Sequence, residues 1–97
     1  MTEEEIGRLH EDVSRAARAR AILDDDMVKE AIDLLIREAQ EGWEKTNAAA
    51  VDQREQFWRW LKVARRFRDV FQVAVEHGEV ARQMLDLEES ERKAGMI

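Results

Sequence analysis

The chain has 97 residues, no cysteine, no proline and a formal net charge of −6 at pH 7. A chain of this length forms at most one domain, with a thin core, and the lack of cysteine excludes disulfide bonds and thiolate metal sites. No apolar run approaches the ~18–20 residues that span a bilayer, and the acidic start Thr2–Glu5 does not resemble a signal peptide. We therefore expect a cytoplasmic protein with no membrane partner.

Composition predicts an all-α fold, because alanine, glutamate, arginine and leucine dominate and proline is absent. Charged residues make up 39% of the chain, a level also typical of disorder. The regular apolar spacing and the three tryptophans favour folded helices in the middle of the chain, and both order and disorder stay open for the two ends. We expect a single helical domain over 1–97. Its predicted architecture is an antiparallel helical hairpin with a long third helix, plus an N-terminal helix and a short C-terminal helix.

The first predicted helix spans about residues 3–22. Thr2 precedes it as a cap, with Glu5 at the capping-box position. Its apolar residues form a narrow seam at spacings of three and four, namely Ile6, Leu9, Val13 and Ala16. A seam this thin does not hold a helix alone, so the helix must dock on the rest of the chain or on a second chain.

The second predicted helix spans about 27–45 and follows three consecutive aspartates. Asp25 or Asp26 is the expected N-cap. A calcium site is not expected, because no glycine-containing loop with further oxygen ligands follows. Thr46 and Asn47 predict a turn, since both side chains bond locally to the backbone.

The third predicted helix, about 49–77, carries the strongest pattern in the chain. Apolar residues alternate at three and four over three heptads. We expect these to form the core or an oligomer interface: Phe57, Trp60, Leu61, Ala64, Phe67 and Phe71. The second helix is too short to cover this whole stripe, so another element must cover the remainder.

Gly78 directly follows His77 and predicts the end of the third helix. A kink and a short helix over about 79–92 are then expected. Residues 94–97 are expected to fray.

Catalytic and metal-binding patterns are missing from the sequence. The two histidines, His10 and His77, lie in different helices and outside any metal-ligand spacing. No nucleophile has a neighbouring base, and no glycine-rich phosphate loop exists. We expect no enzyme activity, cofactor, metal or small-molecule substrate.

A basic cluster lies on the third helix. Residues 48–78 carry six arginines and lysines against four carboxylates, so this segment is net +2 in a chain of net −6. The expected partner-binding residues are Trp58, Arg59, Lys62, Arg65 and Arg66. One interpretation is a strip for nucleic acid or an acidic partner; the other is a solvated face whose arginines pair with the acidic first and second helices.

Three stretches carry a resemblance: Glu41–Trp43, Gln53–Trp58 and His77–Ala81. Over about residues 23–87 the chain resembles small helical proteins encoded near the head-assembly and DNA-packaging genes of tailed bacteriophages and prophages. The resemblance implies a phage structural or packaging accessory, located in the host cytoplasm or the virion. It assigns no functional residue, because the family offers no catalytic or binding motif to map.

These patterns together predict a non-enzymatic, oligomeric helical interaction protein that binds itself and another protein. Two alternatives stay open. One is a nucleic-acid-binding module that uses the basic cluster, and the other is an acidic inhibitor of a host protein.

Overall fold

The computed structural model describes residues 1–95, which form three α-helices: α1 (Glu3–Asp24), α2 (Asp26–Lys45) and α3 (Val51–Gly95). The described residues contain no β-strand, so the all-α prediction is confirmed. The expected fraying of the last two residues lies outside the described range, and Ala94 and Gly95 are helical. No helix within residues 1–95 is both long and apolar enough to cross a membrane.

The chain divides into two compact units. The first combines residues 1–22 with the part of α3 from Phe71 onward, and the second spans Leu23–Val70. Each unit pairs one of the shorter helices with a different stretch of α3. That the whole chain acts as one domain stays a prediction.

In the first unit, α1 packs antiparallel on the carboxyl-terminal stretch of α3. The amino terminus of Met1 lies 3.9 Å from a carboxylate oxygen of Glu88, whereas Arg20, near the other end of α1, lies 3.2 Å from Glu79. The buried residues of this unit are small or β-branched: Ala16, Ala19, Val75, Gly78 and Ala81. The predicted docking of the first helix on the rest of the chain is therefore confirmed.

The expected break at Gly78 was wrong, because α3 continues through Gly78 to Gly95. Gly78 is buried, and no glycine among residues 1–95 has a positive φ. A Cβ atom at this position would overlap the Cβ of Ala16 and lie 3.2 Å from the carbonyl oxygen of Asp12. The glycine therefore permits close contact with α1 and does not cap a helix. The separate helix predicted over 79–92 is part of α3.

In the second unit, α2 and α3 form an antiparallel hairpin. Its turn has the predicted chemistry: the Thr46 hydroxyl donates to the Trp43 carbonyl oxygen (2.6 Å), and the Ala49 amide donates to Asn47 Oδ1 (3.0 Å). The third helix begins at Val51, two residues later than predicted. The buried residues of the hairpin are Ile32, Ala39 and Ala64.

Both predicted helix caps are confirmed. The Glu5 amide donates to the Thr2 hydroxyl at 3.1 Å. Asp25 Oδ1 accepts from the amides of Met27 (2.9 Å) and Val28 (3.1 Å), which satisfies two of the free donors at the start of α2. Asp24 ends α1 and Asp26 begins α2, so only the middle aspartate of the three is the cap.

We expect Gly78→Ala to destabilise the protein, although alanine is the better helix former. The added methyl group meets the Ala16 Cβ, and overpacking of this kind costs roughly 1–3 kcal/mol. Gly7→Ala is the matched control, because nothing lies within 4 Å of a Cβ there; it should stabilise α1 by roughly 0.5–1 kcal/mol. Urea denaturation measures both, and a Gly78→Ala protein as stable as the parent would contradict the close packing.

Asp25→Ala should lower the free energy of unfolding by about 1 kcal/mol, because it leaves two amides of α2 without their acceptor. Asp24→Ala removes the same charge from the end of α1 and should be neutral or slightly stabilising, since a carboxylate is unfavourable at a helix C-terminus. Thermal denaturation followed by circular dichroism compares the two variants, and equal losses would show that charge, not capping, matters here.

Candidate interaction surface

The α2–α3 hairpin has two sides with different chemistry. One side, here called the tryptophan side, contains Trp43 of α2 and Trp58 of α3. The Arg54 guanidinium lies 4.1 Å from the centroid of the Trp43 ring, and the Lys62 ammonium lies 3.8 Å from that of Trp58. A cavity of about 400 Å³ between the helices is lined by Gln40, Trp43, Glu44, Trp58 and Leu61.

The opposite side of α3 is apolar and exposed. Trp60 and Val63 lie about 140–160° around the helix from Trp58, at 100° per residue. Phe67 and Val70 continue the same stripe, so that apolar side chains recur at spacings of three and four. Val63 is 67% exposed, Phe67 54% and Trp60 42%.

The α2 helix extends this apolar surface. Leu34 lies half a turn from Trp43, so it points to the side opposite the tryptophans, and Leu35, Ala31 and Met27 lie beside it. All four are exposed. Because Trp43 and Trp58 share one side of the hairpin, these residues and the α3 stripe share the other. We call this surface the apolar face: Met27, Ala31, Leu34, Leu35, Trp60, Val63, Phe67 and Val70.

The six residues predicted to form the core or an oligomer interface do not all lie on the same side of α3. Ala64 is buried, and Phe57, Leu61 and Phe71 are half-buried, so these four face inward. Trp60 and Phe67 are exposed and belong to the apolar face. The Phe57 and Trp60 rings are stacked with centroids 6.0 Å apart. The Phe57 ring also lies against Gly42, where a Cβ atom would overlap it.

The predicted partner-binding residues are distributed around α3. Trp58 is half exposed with Lys62 over its ring, and Arg59 pairs with Glu55 of its own helix at 2.8 Å. Arg65 and Arg66 have no ion pair within residues 1–95. Within residues 1–95, the ion pairs that the arginines of the basic cluster form are therefore with carboxylates of α3 itself. In that part of the chain, none of these arginines forms an ion pair with the acidic helices α1 and α2.

Sequence reasoning missed most of the apolar face. Of its eight residues, only Trp60 and Phe67 belong to the predicted core or interface stripe of the third helix, and no residue of α2 was assigned to an interface. The amino-acid sequence does contain the apolar repeat that marks this face, because Trp60, Val63, Phe67 and Val70 follow one another at spacings of three, four and three. This second repeat lies about a quarter turn from the one that contains Ala64, and the two overlap in sequence.

No protein-family model, curated protein sequence or solved structure matches this chain. Within residues 1–95, no three His, Asp or Glu side chains lie close enough together to hold a metal ion.

We expect Lys62→Gln to destabilise the hairpin by about 0.5–1 kcal/mol, because it removes the ammonium from the Trp58 ring at an exposed site. Arg65→Gln is the control, since Arg65 lies on the same side of α3 but contacts neither a ring nor a carboxylate of the described residues 1–95. Urea denaturation followed by tryptophan fluorescence tests the pair; equal stability of the two variants would contradict a contribution from the cation–π contact.

Proposed function

We propose that this protein is a non-enzymatic helical interaction protein that associates with itself through the apolar face of the α2–α3 hairpin. The observation that carries the proposal is the exposure of that face. Trp60, Val63 and Phe67 are 42%, 67% and 54% exposed, and they lie together on one stripe with Val70.

Scattered exposed apolar residues are ordinary on any protein surface. By contrast, a contiguous exposed patch of aromatic and aliphatic side chains on two adjacent helices is unusual, and such patches mark interaction sites. Trp is also enriched among the residues that contribute most to binding. These properties support association as the work of this surface.

The proposed biological setting is phage assembly, with this chain as a structural or DNA-packaging accessory. The resemblance over about residues 23–87 supports this setting, since it concerns proteins encoded beside head-assembly and packaging genes. Self-association through an exposed helical face is consistent with such a role.

We expect the protein to be at least a dimer in solution and Val63→Asp to make it monomeric. Val63 is mostly exposed within the single chain, so the substitution leaves the fold intact. At an interface it buries an unpaired carboxylate, which should raise the dissociation constant roughly 100-fold or more. Light scattering or sedimentation equilibrium measures the mass, and circular dichroism verifies the helix content.

Val51→Asp is the matched control, because Val51 is 65% exposed and lines a cavity on the tryptophan side. Its mass should equal that of the parent protein. A parent protein that is monomeric at all accessible concentrations, or a Val63→Asp protein of unchanged mass, would refute association through the apolar face.

The phage setting has a separate test. In cells in which the encoding phage or prophage is replicating, an affinity-tagged copy should recover head or packaging proteins, and purified particles should be examined for the chain by mass spectrometry. Recovery of DNA alone, with a steep dependence on salt, would instead favour the nucleic-acid alternative. Recovery of a single host enzyme would favour the inhibitor alternative.

A further inference from the structure

The apolar face is bordered by two charged flanks of opposite sign. Resting on the proposed function, we infer that the partner of this face is a second copy in one orientation: α3 of each copy packs on α2 of the other, around a two-fold axis parallel to the helices. The result is a four-helix bundle in which the basic flank of each copy meets the acidic flank of its partner.

The basic flank lies on α3. Arg59 and Arg66 are one heptad apart, and at 100° per residue both lie about 40–60° beyond Val63, on the side away from the buried Ala64. They therefore border the apolar face along its α3 edge. Arg66 has no ion pair within residues 1–95, and Arg59 pairs only with Glu55, four residues earlier on the same helix.

The acidic flank lies on α2. Glu41 lies about 160° around the helix from Trp43, just beyond Leu34 at the outer edge of the apolar face. Glu38 lies about 140° from Trp43, between Ala31 and Leu34 within the α2 part of that face, and the exposed Lys45 follows Glu41 one turn later. Both glutamates are exposed, and neither has an ion pair within residues 1–95. Their charge is therefore available to a partner.

The charged residues of the two flanks also lie close to one another in position along the long axis of the hairpin. Gly42 lies beside Phe57, so on antiparallel helices Glu41 lies level with about Arg59, and Glu38 lies about one and a half helical turns from Arg66 along the axis. A two-fold axis parallel to the helices keeps each residue at its level. Glu41 of one copy therefore meets Arg59 of the other, whereas Glu38 and Arg66 are separated by roughly 7 Å along the axis, a distance that their long side chains can span.

The competing two-fold arrangement places α3 on α3 and α2 on α2. Arg59 and Arg66 then face the same arginines of the second copy, and Glu38 and Glu41 face glutamates. Like charges across an interface are unfavourable and suppress wrong pairings. The flanks therefore select the arrangement in which each α3 lies on the α2 of its partner.

The size of the face fits a two-fold interface. Two helices of about 20 residues are roughly 30 Å long and each about 10 Å wide, so the hairpin presents roughly 600 Å² in projection. A stable interface buries roughly 800 Å² of accessible surface per partner. A second hairpin of the same size covers the face fully, and a two-fold interface uses the same patch on both copies.

Trans-complementation of charge tests this orientation. The first variant is Arg59→Glu/Arg66→Glu and the second is Glu38→Lys/Glu41→Lys, both in the full chain. Each alone brings like charges together, because reversed α3 flanks meet native α2 flanks or the converse. The dissociation constant of each should rise roughly tenfold or more at low salt. An equimolar mixture should form a heterodimer as tight as the parent, since every flank then meets its opposite.

Arg65→Glu is the control, because Arg65 lies on the tryptophan side of α3; its affinity should match that of the parent. Circular dichroism verifies that the flank variants keep their helix content. Analytical ultracentrifugation at low salt, with one partner fluorescently labelled, separates the homodimers from the mixed dimer, and high salt should reduce all the differences.

The outcomes test the orientation of the dimer and the proposed self-association separately. Weakened single variants with a restored mixture support the orientation. If the parent associates and Val63→Asp abolishes association, but the flank variants bind as tightly as the parent, the orientation is wrong and the proposed function stands. Weakened variants that the mixture does not restore also overturn the orientation, and a monomeric parent overturns both.

Discussion

The length of α3 sets the main constraint on this protein. It has 45 residues, against 22 in α1 and 20 in α2, and each short helix pairs with its own stretch of α3. A helix can carry apolar side chains in more than one stripe along its surface, but packing against one antiparallel neighbour buries only one of these stripes. In the α2–α3 hairpin, the stripe with Ala64 is covered and the stripe with Val63 is left exposed. Association is a direct way to cover what the chain leaves open.

Local chemistry made the helices and their caps predictable from sequence. Thr2, Asp25 and Asn47 act through side-chain oxygens on amides two or three residues away, so their roles depend only on nearby residues. Gly78 was misjudged because its role depends on a residue far away in sequence. A glycine ends a helix in isolation, but here it lies against Ala16 of another helix, and contact between distant segments overrides local preference.

The candidate surface was only partly predictable for a related reason. The repeat with Phe57, Leu61 and Ala64 and the repeat with Trp60, Val63 and Phe67 overlap along the same heptads, so spacing alone assigns aromatic residues to either. Which repeat faces α2 depends on the side from which α2 approaches, and that is a tertiary property. The contact between Gly42 and Phe57 fixes the level of the two helices, and the shared cavity beside Trp43 and Trp58 fixes the side.

The buried residues have a consequence for how this protein should be mutated. Five of the seven buried apolar residues within the described chain are alanines, and the tryptophans, phenylalanines and leucines are all at least partly exposed. Helices that meet through alanine and glycine approach closely, so the interior tolerates enlargement poorly and offers few side chains to truncate. Alanine scanning would therefore leave most of this interior unchanged. Systematic enlargement, from alanine to leucine or valine, is the scan that would map it.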